Sequence, residues 1–363
     1  MSIILKGNNI SSNNNGIGPS EVTNIKASQN ASSIILSWTN PSNVVIDGTT
    51  MSTFDHVIIV RNEDHYPTSI KDGNTIYSGN RTTCSDSDVI KNKKYYYRFF
   101  VYDTNKLCNN NINMIIENTL YGVDPILKNN TWSQIAAASE AGIASKVWNI
   151  GDEIDIQISA QTGDGYDVQD ISAQTATLQI WDFNHFDKSD GSGKAGICFG
   201  MKNPMYSLQY MNYNMNTMNG GWNNTSMRKR VMPAILKSLP SDLQSYIKEV
   251  NTYATERDGS STESDGLLCT DKVFIPGFTE LFGSDYNVSQ YITEKAQKKF
   301  PIFTDDNSRK KLDEYASSAY FWMRSPCYSG GNWIVWLVNT KGEAEWDRYA
   351  SSVKHFVIFC FNV

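Results

Sequence analysis

Three short stretches decide how the C-terminal part of this chain is read. They are Tyr320-Phe321-Trp322-Met323-Arg324-Ser325-Pro326, Asn332-Trp333-Ile334-Val335-Trp336-Leu337-Val338 and Glu345-Trp346-Asp347-Arg348-Tyr349, and a terminal run Phe356-Val357-Ile358-Phe359-Cys360-Phe361 closes them. Four of the nine tryptophans lie here. Short apolar runs bounded by turn residues predict three or four strands. Residues 332–338 are apolar on both faces, as in a strand buried on both sides. Asn339-Thr340-Lys341-Gly342 reads as a hairpin turn. The arm after it sets Ala344, Trp346 and Arg348 against Glu343, Glu345, Asp347 and Tyr349. Core packing is expected for Trp322 and for one of Trp333 and Trp336. An outward Trp or Tyr beside Arg348 would make a contact surface, because aromatic and Arg side chains bury much area at few loci.

Upstream of this block the period is mixed. Thr131 is an N-cap candidate for a helix through Trp132-Ser133-Gln134-Ile135-Ala136-Ala137-Ala138, and Gly142 is expected to end it. Residues 148–158 and 176–182 predict strands. Residues 227–239 predict a helix with Val231, Ile235 and Leu239 on one face, followed by a break at Leu239-Pro240. A second helix is expected from Asp242 to about Val250 with Ser241 as its cap, then a strand over 271–276. Helices and short strands in one segment mean α+β. From Glu21 to about Asn105 the pattern is instead all-β. Runs at 22–25, 33–38, 56–61, 75–77 and 95–102 are separated by Asn-Pro, Asp-Gly and Ser-Gly, the spacing of a sandwich. Residues 106–130 read as a linker that adds one strand near 112–116. Residues 1–20, rich in Asn, Ser and Gly, read as an arm ordered on a partner.

The bulk numbers exclude several classes. At 363 residues two or three domains are expected. A net charge of -6 with no basic stripe argues against nucleic acid, and Arg228-Lys229-Arg230 reads as solvated surface. The longest apolar runs are strand-sized, so no membrane insertion is expected. Met1-Ser2-Ile3-Ile4-Leu5-Lys6 lacks the apolar core of a signal peptide, so synthesis in the cytosol is expected. Six scattered cysteines without a CxxC predict free, mostly buried thiols.

Catalytic signatures are sparse. His56, His65, His185 and His355 show no i, i+3 or i+4 pairing of the zinc type, and GxSxG, P-loop and GxGxxG are missing. Asp164, Asp167 and Asp170, like Asp187 and Asp190, do not fit a calcium loop and read as turns. Glu343, Glu345 and Asp347 alternate as one exposed strand face. A glycosidase pair there is the weaker reading.

Two resemblances add to this. Trp38 at the end of an early strand, with Tyr95, Tyr97 and Phe99 in a late one, resembles the core of a fibronectin type III domain, usually a spacer. Residues 131–363 resemble a family of phage and gut-bacterial domains related to the C-type-lectin and formylglycine-generating-enzyme folds. The motifs are Trp132-Ser133-Gln134-Ile135, Asp182-Phe183-Asn184-His185, the Gly191 to Gly196 element, Gly220-Gly221-Trp222, Leu239-Pro240-Ser241-Asp242-Leu243, Asp271-Lys272-Val273-Phe274-Ile275-Pro276 and Trp322-Met323-Arg324-Ser325-Pro326. Where relatives enter the last strand with Gly-Val-Arg-Pro-Ala, this chain has Ser352-Val353-Lys354-His355-Phe356. The oxidase cysteine arrangement is not recognisable in Cys327 or Cys360, and the calcium-dependent sugar signature is missing.

The fold implied is therefore multidomain: an all-β fibronectin type III-like sandwich (21–105) followed by an α+β C-type-lectin-like domain (131–363). The function implied is that of a receptor-binding, tail-tip protein of a phage or phage-tail-like particle. Its partners would be a bacterial cell-surface receptor, either a surface-layer protein or a cell-wall glycan, and baseplate or tail proteins through the arm, with a homotrimer as a common arrangement. By the resemblance, Tyr328, Asn332, Trp333, Glu345, Trp346, Asp347, Arg348 and Tyr349 are the receptor contacts. No catalytic residue, metal or cofactor is expected. The rival readings are a glycan depolymerase, a formylglycine-type oxidase and a bacterial surface adhesin.

Overall fold

The computed structural model describes residues 16–213, 217–254, 267–284, 294, 297–327, 334–347 and 353–363. Strand makes up 37% and helix 15% of it, arranged in several sheets, so the protein is β-rich and multidomain. The chain divides into two compact units, Met1–Pro125 and Ile126–Val363.

The first unit is all-β. Strands β1 (Thr23–Gln29), β2 (Ile34–Thr39), β3 (Val44–Ile46), β4 (Thr49–Ser52), β5 (Phe54–Asn62), β6 (Asn74–Gly79), β7 (Thr83–Asp86), β8 (Lys94–Asp103), β9 (Cys108–Asn109) and β10 (Ile115–Thr119) follow in order. One sheet runs β1-β2-β7 and the other β10-β8-β5-β6, with β9 against β8 and a β3-β4 ribbon. Alternation sends Ile34, Leu36 and Trp38 of β2 and Tyr95, Tyr97, Phe99 and Val101 of β8 into one shared core. Trp38 meets the edges of Tyr77 and Phe99 at 5.3 and 5.4 Å. Residues 106–119, read from the sequence as a linker with one strand, supply both β9 and β10, and β10 is in register with β8 from Ile115↔Arg98 to Thr119↔Lys94.

The second unit opens with α1 (Trp132–Glu140). Its Thr131 hydroxyl accepts from Gln134 N and the Gln134 side chain accepts from Thr131 N, a reciprocal cap. Gly142, at φ +66, stops it. There follow α2 (Ala144–Val147), β11 (Glu153–Ile158), β12 (Gln174–Phe183) and β13 (Ile197–Met201). A π-helical turn, Met227–Val231, then leads into α3 (Met232–Ser238). After α4 (Ser241–Gln244), β14 (Val250–Ala254), β15 (Leu267–Asp271) and β16 (Val273–Phe274) come α5 (Phe278–Phe282) and α6 (Asp306–Arg309). β17 (Phe321–Pro326), β18 (Val335–Val338), β19 (Ala344–Asp347) and β20 (Cys360–Asn362) complete the unit.

The main sheet runs β11-β12-β13-β20-β16, so the last strand of the chain lies inside it. Trp132 of α1 packs on Phe199 of β13 and Phe361 of β20, two of its inner strands. The hairpin β14-β15 and the meander β17-β18-β19 stand beside it.

Three local expectations are corrected. The helix expected from Asp242 to Val250 ends at Gln244, because Lys248 N donates to Asn362 O at 2.8 Å and Val250 opens a strand. Pro240, not Ser241, is its N-cap. The terminal apolar run is a strand only at 360–362, because Val357 and Phe359 give their carbonyls to Met205 and Met201 instead. All six cysteines are free, four of them buried.

Candidate binding surface on the C-terminal meander

The meander begins from a strand with every residue buried, Phe321–Pro326. Trp322 has no exposed surface, and its indole N–H donates to Gln209 O at 2.8 Å. Beside it Arg324 is fully buried, a state that requires each N–H donor to be used. Nη1 donates to Glu280 Oε2 (2.7 Å) and Ile275 O (2.9 Å), and Nη2 to Glu280 Oε1 (2.5 Å). Nε and Nη2 both reach Tyr253 O at 3.1 Å.

A second carboxyl, Glu294, takes the Ser325 hydroxyl and Thr279 N. Burial pushes the Glu294 carboxyl above its ordinary range, with Arg324 and Ser325 opposing. Burial alone works against the Arg324 charge. Glu280 and Glu294 outweigh it, and the guanidinium titrates above its usual value. One cation thus joins β14, α5 and β17.

β18 lies in register between its neighbours, with Leu337 opposite both Trp322 and Glu345, and Trp336 opposite Trp346. Directly opposed residues share a face, so the two indoles lie side by side. Trp336 is 4% exposed and meets Phe278 edge-on at 5.1 Å. Trp346 is 37% exposed on the outer strand of the meander. Glu345, also exposed, points from the opposite face.

The turn between β18 and β19 is built from its own side chain and held by a neighbouring helix. Asn339 Oδ1 accepts from Lys341 N (2.9 Å) and Glu343 N (3.0 Å), and Gly342 adopts φ +85. Arg309 of α6 donates to Gly342 O at 3.0 Å.

Of the eight sequence-derived contacts, Glu345 and Trp346 stand together on β19, both reaching solvent. Asp347 ends that strand opposite Val335, and its side chain lies outside the described set. Tyr328, Asn332, Trp333, Arg348 and Tyr349 lie outside the described residues. Core packing holds for Trp322 and Trp336. The Arg228 to Arg230 cluster is not merely solvated: Arg228 pairs with Asp271 (2.7 Å) and Arg230 with Asp164 (2.6 Å) and Asp167 (2.9 Å).

Sequence reading missed two features. Glu294 sits in a polar segment with no periodic signal. The extended run 205–211 turns Tyr206, Leu208 and the half-buried Tyr210 outward and buries Ser207 and Gln209, the reverse of what its hydrophobic alternation specifies, so periodicity could not have found it. The buried His185 donates from Nδ1 to Asp182 Oδ2 at 2.7 Å and stacks on Phe300 at 4.2 Å. Among the described residues, no group of three or more His, Cys, Asp and Glu is placed to hold a metal.

Residues 202–359 match a family described as "Domain of unknown function (DUF6273)". The matched segment contains the meander, the Arg324 cluster and the 205–211 run. No curated protein matches the chain.

Proposed function

We propose that this chain is the receptor-binding protein of a phage or phage-tail-like particle, attaching to a protein or glycan on a bacterial surface. The observation that carries the reading is Trp346, part-exposed on the outer strand of a meander whose base is anchored by a buried ion pair. A rigid base lowers the ordering entropy lost on binding, and an exposed indole offers large contact area.

Residues 21–105 serve as a fibronectin type III-like spacer. Trp38 between Tyr77 and Phe99 supports this, as does the Tyr95 hydroxyl accepting Ile90 N at 2.8 Å, the hydrogen bond of a tyrosine corner. Residues 131–363 form a C-type-lectin-like head, and residues 1–20 dock on the baseplate. Several heads on one tail, as in a trimer, multiply a modest single-site affinity. No catalytic step is assigned.

The test is adsorption of the purified protein to cell walls from a panel of Gram-positive bacteria, with and without their surface-layer protein and with and without EDTA. The double variant Trp346→Ala, Arg348→Ala should lose at least about tenfold in retained protein, a loss of about 1.4 kcal/mol, with unchanged circular dichroism. Normal adsorption by that variant removes the site assignment. A wild type that adsorbs to none of the walls removes the attachment reading.

A further inference from the structure

A second surface of the same unit gathers three tyrosines and a lysine. Tyr166, 63% exposed, meets Tyr213 at 5.7 Å between ring centres, and Tyr213 meets Tyr210 at 5.2 Å. The interplanar angles are 64° and 59°, so the three rings form a bent array. Lys354 ends the array, its ammonium 5.6 Å from the centre of the Tyr210 ring and 3.5 Å from Gln169 Oε1.

The backbone under these rings is fixed. Gln209, fully buried, accepts from Gln169 N (2.9 Å) and donates to Gln169 O (3.2 Å), tying the Tyr166 loop to the Tyr210 segment. Gln209 and His355 exchange backbone hydrogen bonds, which sets Lys354 alongside. Asp164 accepts from Tyr166 N and Val168 N at 2.8 and 3.0 Å, and Arg230 pairs with both Asp164 and Asp167. Lys354 forms no ion pair with a carboxylate among the described residues, so its charge faces solvent uncompensated.

We propose that Tyr166, Tyr213, Tyr210 and Lys354 form a binding site for a pyranose chain bearing acidic groups. Three tyrosine rings with centres 5.7 and 5.2 Å apart offer aromatic surface on which the C–H faces of successive sugar rings stack. Tyr supplies that area with few rotatable bonds, and its hydroxyl keeps the surface wettable when empty. The uncompensated Lys354 selects a uronate, phosphate or ketal carboxylate over a neutral chain. A docked protein would instead call for a central apolar patch, whereas the flanks here are Gln169, Asp164 and Arg230. The site uses no part of the Trp346 strand and stands apart from the attachment reading, because it is measured on purified glycans.

The test is affinity electrophoresis and calorimetry of the full chain with polygalacturonate, hyaluronan and xanthan, against neutral cellopentaose and dextran. The wild type should be retarded by at least one acidic glycan, with affinity falling as salt rises. Tyr166→Ala should weaken this by tenfold or more, Lys354→Gln should abolish the preference for acidic chains, and Trp346→Ala should leave both unchanged. Circular dichroism checks that each variant folds. The proposal is overturned if no acidic glycan binds, if neutral chains bind as tightly, or if Tyr166→Ala and Lys354→Gln bind like wild type. In each of those cases the cell-wall adsorption result is untouched.

Discussion

At the residue scale the second unit spends two buried cations differently. Arg324 has a matched carboxylate in Glu280, so removing that partner strands a charge in the interior. Glu280→Gln should lower unfolding free energy by on the order of 3–5 kcal/mol in urea titrations. A loss below about 1 kcal/mol would show that Glu294 takes the place of Glu280 beside the guanidinium.

Among the described residues Lys311 has no such partner. It is buried against Trp181 and Phe303, with its ammonium 5.9 and 5.3 Å from their ring centres, and burial lowers its pKa from 10.5 to about 8, with Lys202 adding to the shift. Because the folded value lies below the unfolded one, the penalty is full below about pH 8 and is relieved as pH climbs towards the ordinary lysine value. Stability should therefore rise with pH across that window. Lys311→Met should raise stability at pH 7, by roughly 3 kcal/mol at most, and flatten the rise. An unchanged pH profile of the melting temperature in Lys311→Met would refute the assignment. Neither role is visible in the sequence, where Arg324 is one residue of a motif and Lys311 follows another lysine.

At the element scale the hairpin turn is the most exacting piece. Gly342 lies at φ +85, and a Cβ there would fall 1.8 Å from Asp306 O. Gly342→Ala combines left-handed strain of about 1–2 kcal/mol with that clash. It should displace α6 from the turn and shift the Trp346 indole fluorescence. A variant with wild-type melting and emission would mean that α6 does not set this arm.

Elements with local signals were legible. Thr131, Gln134 and Gly142 mark both ends of α1 because caps are short-range chemistry. The alternation in β2 and β8 marks their buried faces for the same reason. The short α4 was not legible. Its successor residues have adequate helix propensity, and only pairing of Lys248 with Asn362, 114 positions later by subtraction, turns them extended.

At the scale of the whole second unit, closure depends on its last residues. β20 pairs with β13 through Cys198↔Asn362 and with β16 through Val273↔Phe361, so it bridges the two parts of the main sheet. Val363 O also accepts from the Ser139 hydroxyl of α1. Ending the chain at Phe359 leaves two strands with open inner edges and uncovers Trp132. That truncation should yield insoluble or non-cooperatively unfolding protein. Wild-type cooperative melting of the truncated chain would show that the sheet closes without β20.

By itself the sequence determined which segments are strand or helix where periodicity, caps and turn residues act over a few positions. It also pointed to Trp322 and one of Trp333 and Trp336 as core, since a run apolar on both faces has no side to offer water. Only the tertiary structure decided that Glu280 answers Arg324, that Asp306 crowds Gly342 and that three tyrosines separated by up to 47 positions share one surface. Those facts depend on which distant backbones meet, and hydrophobic pattern specifies that a face is buried without naming what covers it.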